Sequence, residues 1–174
     1  MPELIHLVPY DSDWPARFEE ERDRIEAVIG RWVIEIEHVG STAIPGLDAK
    51  PVVDIMVGLR SMADADCCVE PLVGLGYSYW ADGAEPHHRL FVNFIDAERT
   101  ARTHNLHLVQ YRGWYWTGRL LFRDHLIADP KNAQEYAQLK RELAERFRED
   151  REAYTAAKTE FVAAVVERAK KSQA

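Results

Sequence analysis

The 174 residues carry a net charge of −7, two adjacent cysteines and no run of about 18 apolar residues. That balance argues against a membrane-spanning helix, a disulfide framework or a zinc knuckle, and stable binding to nucleic acid, whose phosphates select a basic face. The length suits a single domain, 1–174, with its own core, and Met1-Pro2-Glu3 lacks the basic-then-apolar start of a secretory signal, so a cytoplasmic protein is expected.

The first element reads as an amphipathic helix. Asp11 or Ser12 caps it, Pro15 suits its opening turn, and Trp14, Phe18, Ile25, Val28 and Ile29 recur at helical spacing until Gly30 ends it. Residues 33–39 alternate as a strand, and 52–59 are apolar enough for a buried central strand on which Asp54, Met56 and Gly58 share one face. Ser61 with Asp64 caps a helix running to about Leu75, with Gly76 as its terminator and Cys67 and Cys68 on it as buried thiols. Strands follow at 77–80, 89–95 and 102–110, the last two forming a hairpin about Asp96-Ala97-Glu98. From Gly113 the pattern is helical. Asp129-Pro130 opens a helix with Tyr136, Leu139, Leu143 and Phe147 on one face, and Asp150 caps a last one with Tyr154, Ala157, Phe161 and Val165 inward. The fold class is α+β, a mixed sheet flanked by helices.

The chemistry gathers around the second strand. A carboxylate inside the run Val52-Val53-Asp54-Ile55-Met56-Val57 needs a metal, a cation or an open cleft to compensate its burial. Gly40-Ser41-Thr42, at the end of the preceding strand, lets phosphate approach the backbone and offers an N–H and hydroxyls. Lys50 lies four residues before Asp54, within reach of the same phosphate. Between His87 and His125 six arginines face three acids, leaving the rest of the chain at −10, and five of the seven histidines fall there. Arg89 and Arg102 are therefore expected to offset anionic charge. Arg123-Asp124 reads as a structural ion pair. His104 and His107 are candidates for general base or metal ligand, with hydrogen bonding or plain structure as the alternative. Straight-strand parity separates the two, a bulge would join them, and parity alone does not say which faces the cleft.

Tyr10-Asp11, Trp14-Pro15, Glu37-His38-Val39-Gly40-Ser41-Thr42, Pro45-Gly46-Leu47, Lys50-Pro51, Asp54-Ile55, Arg102-Thr103-His104, Leu106-His107, Leu121-Phe122-Arg123-Asp124 and Tyr136 with Leu139-Lys140 together resemble the GrpB family of bacterial proteins. The resemblance runs almost end to end. It implies a nucleotidyltransferase-like fold, and with it a nucleotide or phosphorylated small molecule as ligand. A related domain fused to dephospho-CoA kinase points to CoA-like compounds. Active members of that superfamily carry two carboxylates spaced i and i+2 on the strand after the Gly-Ser loop and a third on a later strand. In this chain the second position is Met56, which cannot replace a hard oxygen ligand, and 102–110 has no acid in its middle.

The expected site therefore comprises Asp54, His107 and His104 as catalytic candidates, Gly40, Ser41, Thr42, Lys50, Arg89 and Arg102 on phosphate, and Asp54 with His107 on one magnesium or manganese ion. The expected function is a nucleotidyltransferase or a nucleotide- or phosphometabolite-binding protein. The alternatives are a non-catalytic ligand-binding or folding-helper domain and a metal-dependent hydrolase centred on the two histidines. The oligomeric state is not legible.

Overall fold

The computed structural model describes residues 4–173, and their side chains apart from 82–85 and 173; the reading of Met1-Pro2-Glu3 lies outside them. Helix α1 (Trp14–Ile29) precedes strands β1 (Val33–Val39) and β2 (Val53–Leu59), then come a short helix α2 (Val69–Gly74), strands β3 (Ser78–Glu85), β4 (His88–Phe94) and β5 (Arg102–Gln110), and helices α3 (Trp114–Ala128), α4 (Pro130–Arg146), α5 (Arg151–Ala156) and α6 (Thr159–Gln173). The five strands form one mixed sheet in the order β1-β2-β5-β4-β3. Only the β2–β5 pair is parallel; in sequence the two are separated by α2 and the antiparallel strands β3 and β4 of the same sheet.

Strand parity divides the sheet into two faces. Val53, Ile55, Val57 and Leu59 on β2 and Leu106 and Leu108 on β5 pack against Trp14, Phe18, Ile25 and Ile29 of α1. Asp54, Met56 and Gly58 point the other way, toward α3; there Met56 is fully buried with Val39, Val109 and Trp116. Gly58 is required at its place, since a Cβ would meet the Trp116 and Tyr111 rings at 2.8 and 2.9 Å. Ile44 and Leu47 cross to a separate apolar cluster with Phe122, Leu126, Tyr136 and Val165, which fastens the helices to the sheet.

The structure corrects several local expectations. Asp13 is the N-cap residue of the first helix but makes no side-chain cap bond, and Asp11 accepts from the Asp13 N–H and from the Arg17 guanidinium rather than from a helix N–H. Ser61 does cap, accepting from the Ala63 N–H, but it opens a 3-10 segment, Met62–Cys68, ahead of the short α2. Pro71, which lacks an N–H to give a helix, sits in that shortened element. Cys68 is buried and Cys67 exposed, both as free thiols. The expected last helix is two, α5 and α6, and Ala157, expected inward, is exposed between them. The 77–80 strand extends to Glu85. Among the described residues no helix is long and apolar enough to cross a membrane.

Candidate functional site

On the face away from α1 the sheet and the helices enclose a cavity of about 270 Å³. Its floor comes from the parallel pairing of β2 with β5, which sets Asp54 beside Asn105 and Met56 beside His107. Asn105 donates from Nδ2 to Asp54 Oδ1 at 2.7 Å, and His107 Nε2 stands 3.9 Å from the same oxygen, at ion-pair rather than hydrogen-bond distance. The Asp54 side chain is 29% exposed, so its carboxylate looks into the cleft. Burial pushes this carboxyl up, but His107, the Asn105 amide and Arg119 outweigh it and hold it down at about 2.

Gly40, at φ +73°, makes the turn out of β1 directly against this carboxylate. A Cβ there would lie 3.0 Å from Asp54 Cγ and closer still to its oxygen. The glycine is thus dictated first by Asp54, and only through it by any ligand. Ser41 lines the cavity, and burial pushes the Tyr136 phenol up to about 12. Thr42 lines it too, although it is itself 1% exposed and its hydroxyl meets His38 Nε2 at 2.9 Å. His38 stacks on Phe18 at 4.9 Å on the α1 side, and burial lowers it to about 4, which marks a neutral structural histidine.

His107 is held from behind. Arg119, a donor only, gives a hydrogen bond to the Tyr115 hydroxyl at 3.0 Å; that oxygen lies 3.2 Å from His107 Nδ1, and His88 Nε2 lies 2.8 Å from the same nitrogen. The His88 and Tyr115 rings stack at 4.9 Å, which fixes the plane of the group. His88, lowered to about 4 by burial and by the neighbouring His107 and arginines, stays neutral.

Of the residues expected in the site, Gly40, Ser41, Thr42, Lys50, Asp54, Arg102 and His107 line this cavity, and His104 and Arg89 do not. His104 shares its face with Leu106 and Leu108, contacts Thr103 Oγ1 through Nδ1 at 3.0 Å, and feels Glu21, Arg24 and Arg17 of α1. The sheet does carry a bulge, between Arg102 and His104 opposite Asn93 and Phe94. It falls before His104, so it leaves the His104–His107 parity intact and turns Arg102, stacked 4.6 Å over Trp80, toward the cleft. The two-histidine hydrolase therefore has no site. Arg89 points to the α2 side, 3.8 Å from Asp66.

Sequence reasoning missed the helical wall. Arg119, Lys140, Arg151 and Lys158 join Lys50 and Arg102 around the cavity, six cations against the single carboxylate of Asp54. Two of them had a signal: Lys140 and Lys158 each follow a buried tyrosine, Tyr136 and Tyr154, by four residues, which places a cation on the inward stripe of a helical segment. Their ammonium groups stand 5.0 and 4.1 Å from those rings. Burial first and neighbouring lysines second lower both to about 7. Arg123, by contrast, is a structural ion-pair member, bonded to Glu37 at 2.5 Å and Asp124 at 2.7 Å.

A mixed sheet with one cleft face, a Gly-Ser turn and an aspartate on the following strand defines a nucleotidyltransferase-like α+β domain. The comparison with solved structures agrees: Cid1 poly(U) polymerase, in its Mg 3'-dATP-bound crystal structure, superimposes with a TM-score of 0.57 at 15% identity, covering 87% of this chain and 49% of that one. More particularly, residues 4–168 match the model of the GrpB protein family, and the chain belongs to it. It is 39% identical over 163 residues to the glutamate-rich protein GrpB of Alkalihalophilus pseudofirmus, covering 91% of each. The crystal structure of GrpB from Enterococcus faecalis superimposes with a TM-score of 0.87 at 26% identity over 97% of this chain and 99% of that one. A dephospho-CoA kinase of Mycolicibacterium paratuberculosis is 35% identical over 178 residues, and there this chain spans 43% of the relative's length.

Proposed function

We propose that this protein binds a nucleotide or another phosphorylated small molecule in the cleft over Asp54. The observation that carries the reading is the charge of the lining, six cations around one carboxylate, in a protein whose net charge is −7. Concentrated positive charge in a concave, partly dehydrated site selects phosphate, and the Gly40-Ser41 turn adds donors at the sheet end. The neighbours support the ligand class, since Cid1 is a poly(U) polymerase with bound nucleotide and a dephospho-CoA kinase contains a related segment.

The residues fit one divalent ion. Asp54 is ionised and open to the cleft, and His107 is the nearest second ligand, so magnesium or manganese would be held by these two and by ligand phosphates. Such an ion would neutralise phosphate charge. Among the described residues no three His, Cys, Asp or Glu side chains converge to hold one unaided. The chain's own part is to bind and orient: Arg102 and Arg119 flank the phosphate, Ser41 caps it, and Tyr115 and His88 fix the His107 ring.

A second reading, binding without nucleotidyl transfer, is favoured by Met56, which is 0% exposed where the superfamily places its second carboxylate. Isothermal titration with ATP, dephospho-CoA and CoA, with and without magnesium, tests the first reading. Arg119→Ala is expected to weaken binding about tenfold, and Ser41→Ala less. If none of these compounds nor inorganic phosphate binds, the reading falls. Pyrophosphate release from nucleoside triphosphates separates transfer from binding alone.

A further inference from the structure

The helical end of the cleft carries more charge than a single phosphate requires. Lys140 is 2% exposed and donates to the Asp48 carbonyl, while the Asp48 carboxylate is turned to Arg141 at 2.8 Å. Lys158 and Lys50 stand over one ring, Tyr154, at 4.1 and 5.5 Å. Arg119 from α3 and Arg151 from α5 face the same space, and the one acid in the lining is Asp54 on the floor. Like charges gathered this closely repel, and burial removes the water that would screen them.

Resting on the phosphate reading above, we infer that Lys50, Lys140 and Lys158 seat the distal phosphates of an oligophosphate ligand and that they neutralise it without a second metal ion. Among the described residues the sheet end offers no second carboxylate to hold a second metal ion. The place next to Asp54 on β2 is Met56, sealed under Trp116, and the residue paired with Asp54 on β5 is the neutral Asn105. The lysines supply what those positions lack. Burial and neighbouring lysines lower Lys140 and Lys158 to about 7. A phosphate brought between them favours the charged ammonium, so proton uptake accompanies binding at pH 7.5.

The test is calorimetric titration at pH 7.5 in EDTA with orthophosphate, pyrophosphate and inorganic tripolyphosphate, repeated in two buffers of different ionisation enthalpy. Affinity is expected to rise about tenfold with each added phosphate, and tripolyphosphate binding to take up a fraction of a proton or more. Lys158→Met is expected to flatten the series and reduce the uptake. Lys158→Arg, which keeps charge but does not titrate, is expected to restore affinity while the uptake stays reduced. Because Lys158 is part-exposed, neither variant depends on repacking the core, and a matched thermal melt confirms folding. If orthophosphate and tripolyphosphate bind equally, or if Lys158→Met leaves the series unchanged, the inference is overturned while nucleotide binding sensitive to Arg119→Ala would leave the parent reading standing. If no phosphate compound binds at all, both fall together.

Discussion

The two faces of one sheet are built from alternate residues of the same strands, yet they obey different rules. Toward α1 several buried polar groups are paired or neutral, although Trp14 Nε1 and His104 Nε2 have no hydrogen-bond partner: Tyr77 donates to Glu21 at 2.8 Å, Glu21 also pairs with Arg24, and His38 rests uncharged between Phe18 and Thr42. Toward the other helices, Asp54 stays ionised and cations crowd it. The α1 face is closed by apolar packing. The cleft face is closed only below Asp54, where Met56 and Trp116 pack, and above it six basic side chains line a cavity. The cleft thus begins one residue along the strand from the core, at the boundary between Asp54 and Met56.

Breaking that boundary should have the largest effect. Sequence alone suggests that Met56→Asp would restore a paired carboxylate and gain metal affinity, since both side chains leave the strand on one side. The structure reverses the expectation. Met56 is 0% exposed against Trp116, so the new carboxylate would be buried without a partner, and a loss on the order of 4 kcal/mol is expected. Urea denaturation of both proteins measures it. A variant as stable as the parent that also binds manganese would show that the cleft extends below Asp54.

Gly40 tests the same boundary from above. Its φ of +73° and its contact with Asp54 predict that Gly40→Val loses about 2 kcal/mol and displaces the carboxylate. Ligand affinity should fall as well, because Asp54 and Ser41 shift with it. Retained stability and unchanged titration with ATP would mean that the turn can open freely.

Asp54→Asn should separate the roles of charge and shape. The group's folded value of about 2 lies below its ordinary 3.8, so the carboxylate stabilises the fold above pH 3.8, and this contribution is lost as pH falls toward 2. Removing it is expected to lower stability at pH 7 by about 1–2 kcal/mol. Metal-free tripolyphosphate should nonetheless bind more tightly, since the only acid in the lining is gone, while any enhancement by magnesium disappears. Titrations with EDTA and with magnesium check both signs.

The two faces should respond to pH with the same sign but in different windows. Lys140 and Lys158 bind protons more weakly folded than unfolded, so between about 7 and 10.5 the unfolded chain holds more protons and stability rises with pH from this term. On the α1 face His38 is lowered from 6.5 to about 4, so its contribution is intact above 6.5 and is lost as pH falls toward 4. Melting temperatures at pH 7 and 9 in the parent and in Lys158→Met should show a rise of a few degrees that the variant reduces.

Much of this was legible in the chain. The periodicity of Trp14, Phe18 and Ile25 gave α1, the turn at Asp96 gave the β4–β5 hairpin, and Gly40-Ser41 followed by Asp54 marked the floor of the cleft. The helical wall was not read, because its cations converge from three separate helices and only the tertiary fold brings them to one cavity. The breaks inside helices were also hidden. Residues 62–75 and 151–173 have helical periodicity, but Pro71 shortens the first, and the 157–158 break in the second comes from packing Tyr154 and Val165 into different clusters.

The histidine pair is the finest test of the two-face division. Period-two parity separates His104 from His107 but does not say which of them faces the cleft; the register to β2 settles that, by setting Asp54 beside Asn105 and Met56 beside His107. His104 Nε2 is buried with no hydrogen-bond partner, so replacing the ring by an apolar side chain removes an unsatisfied polar atom. His104→Leu should therefore change stability by no more than about 1 kcal/mol and leave ATP affinity unchanged. His107→Leu should weaken binding by about tenfold, as expected when a polar contact in the cleft is lost. Parallel melts and titrations of the two variants decide it. A folded His104→Leu protein that no longer binds ATP would place the ligand on the α1 face and invert the division.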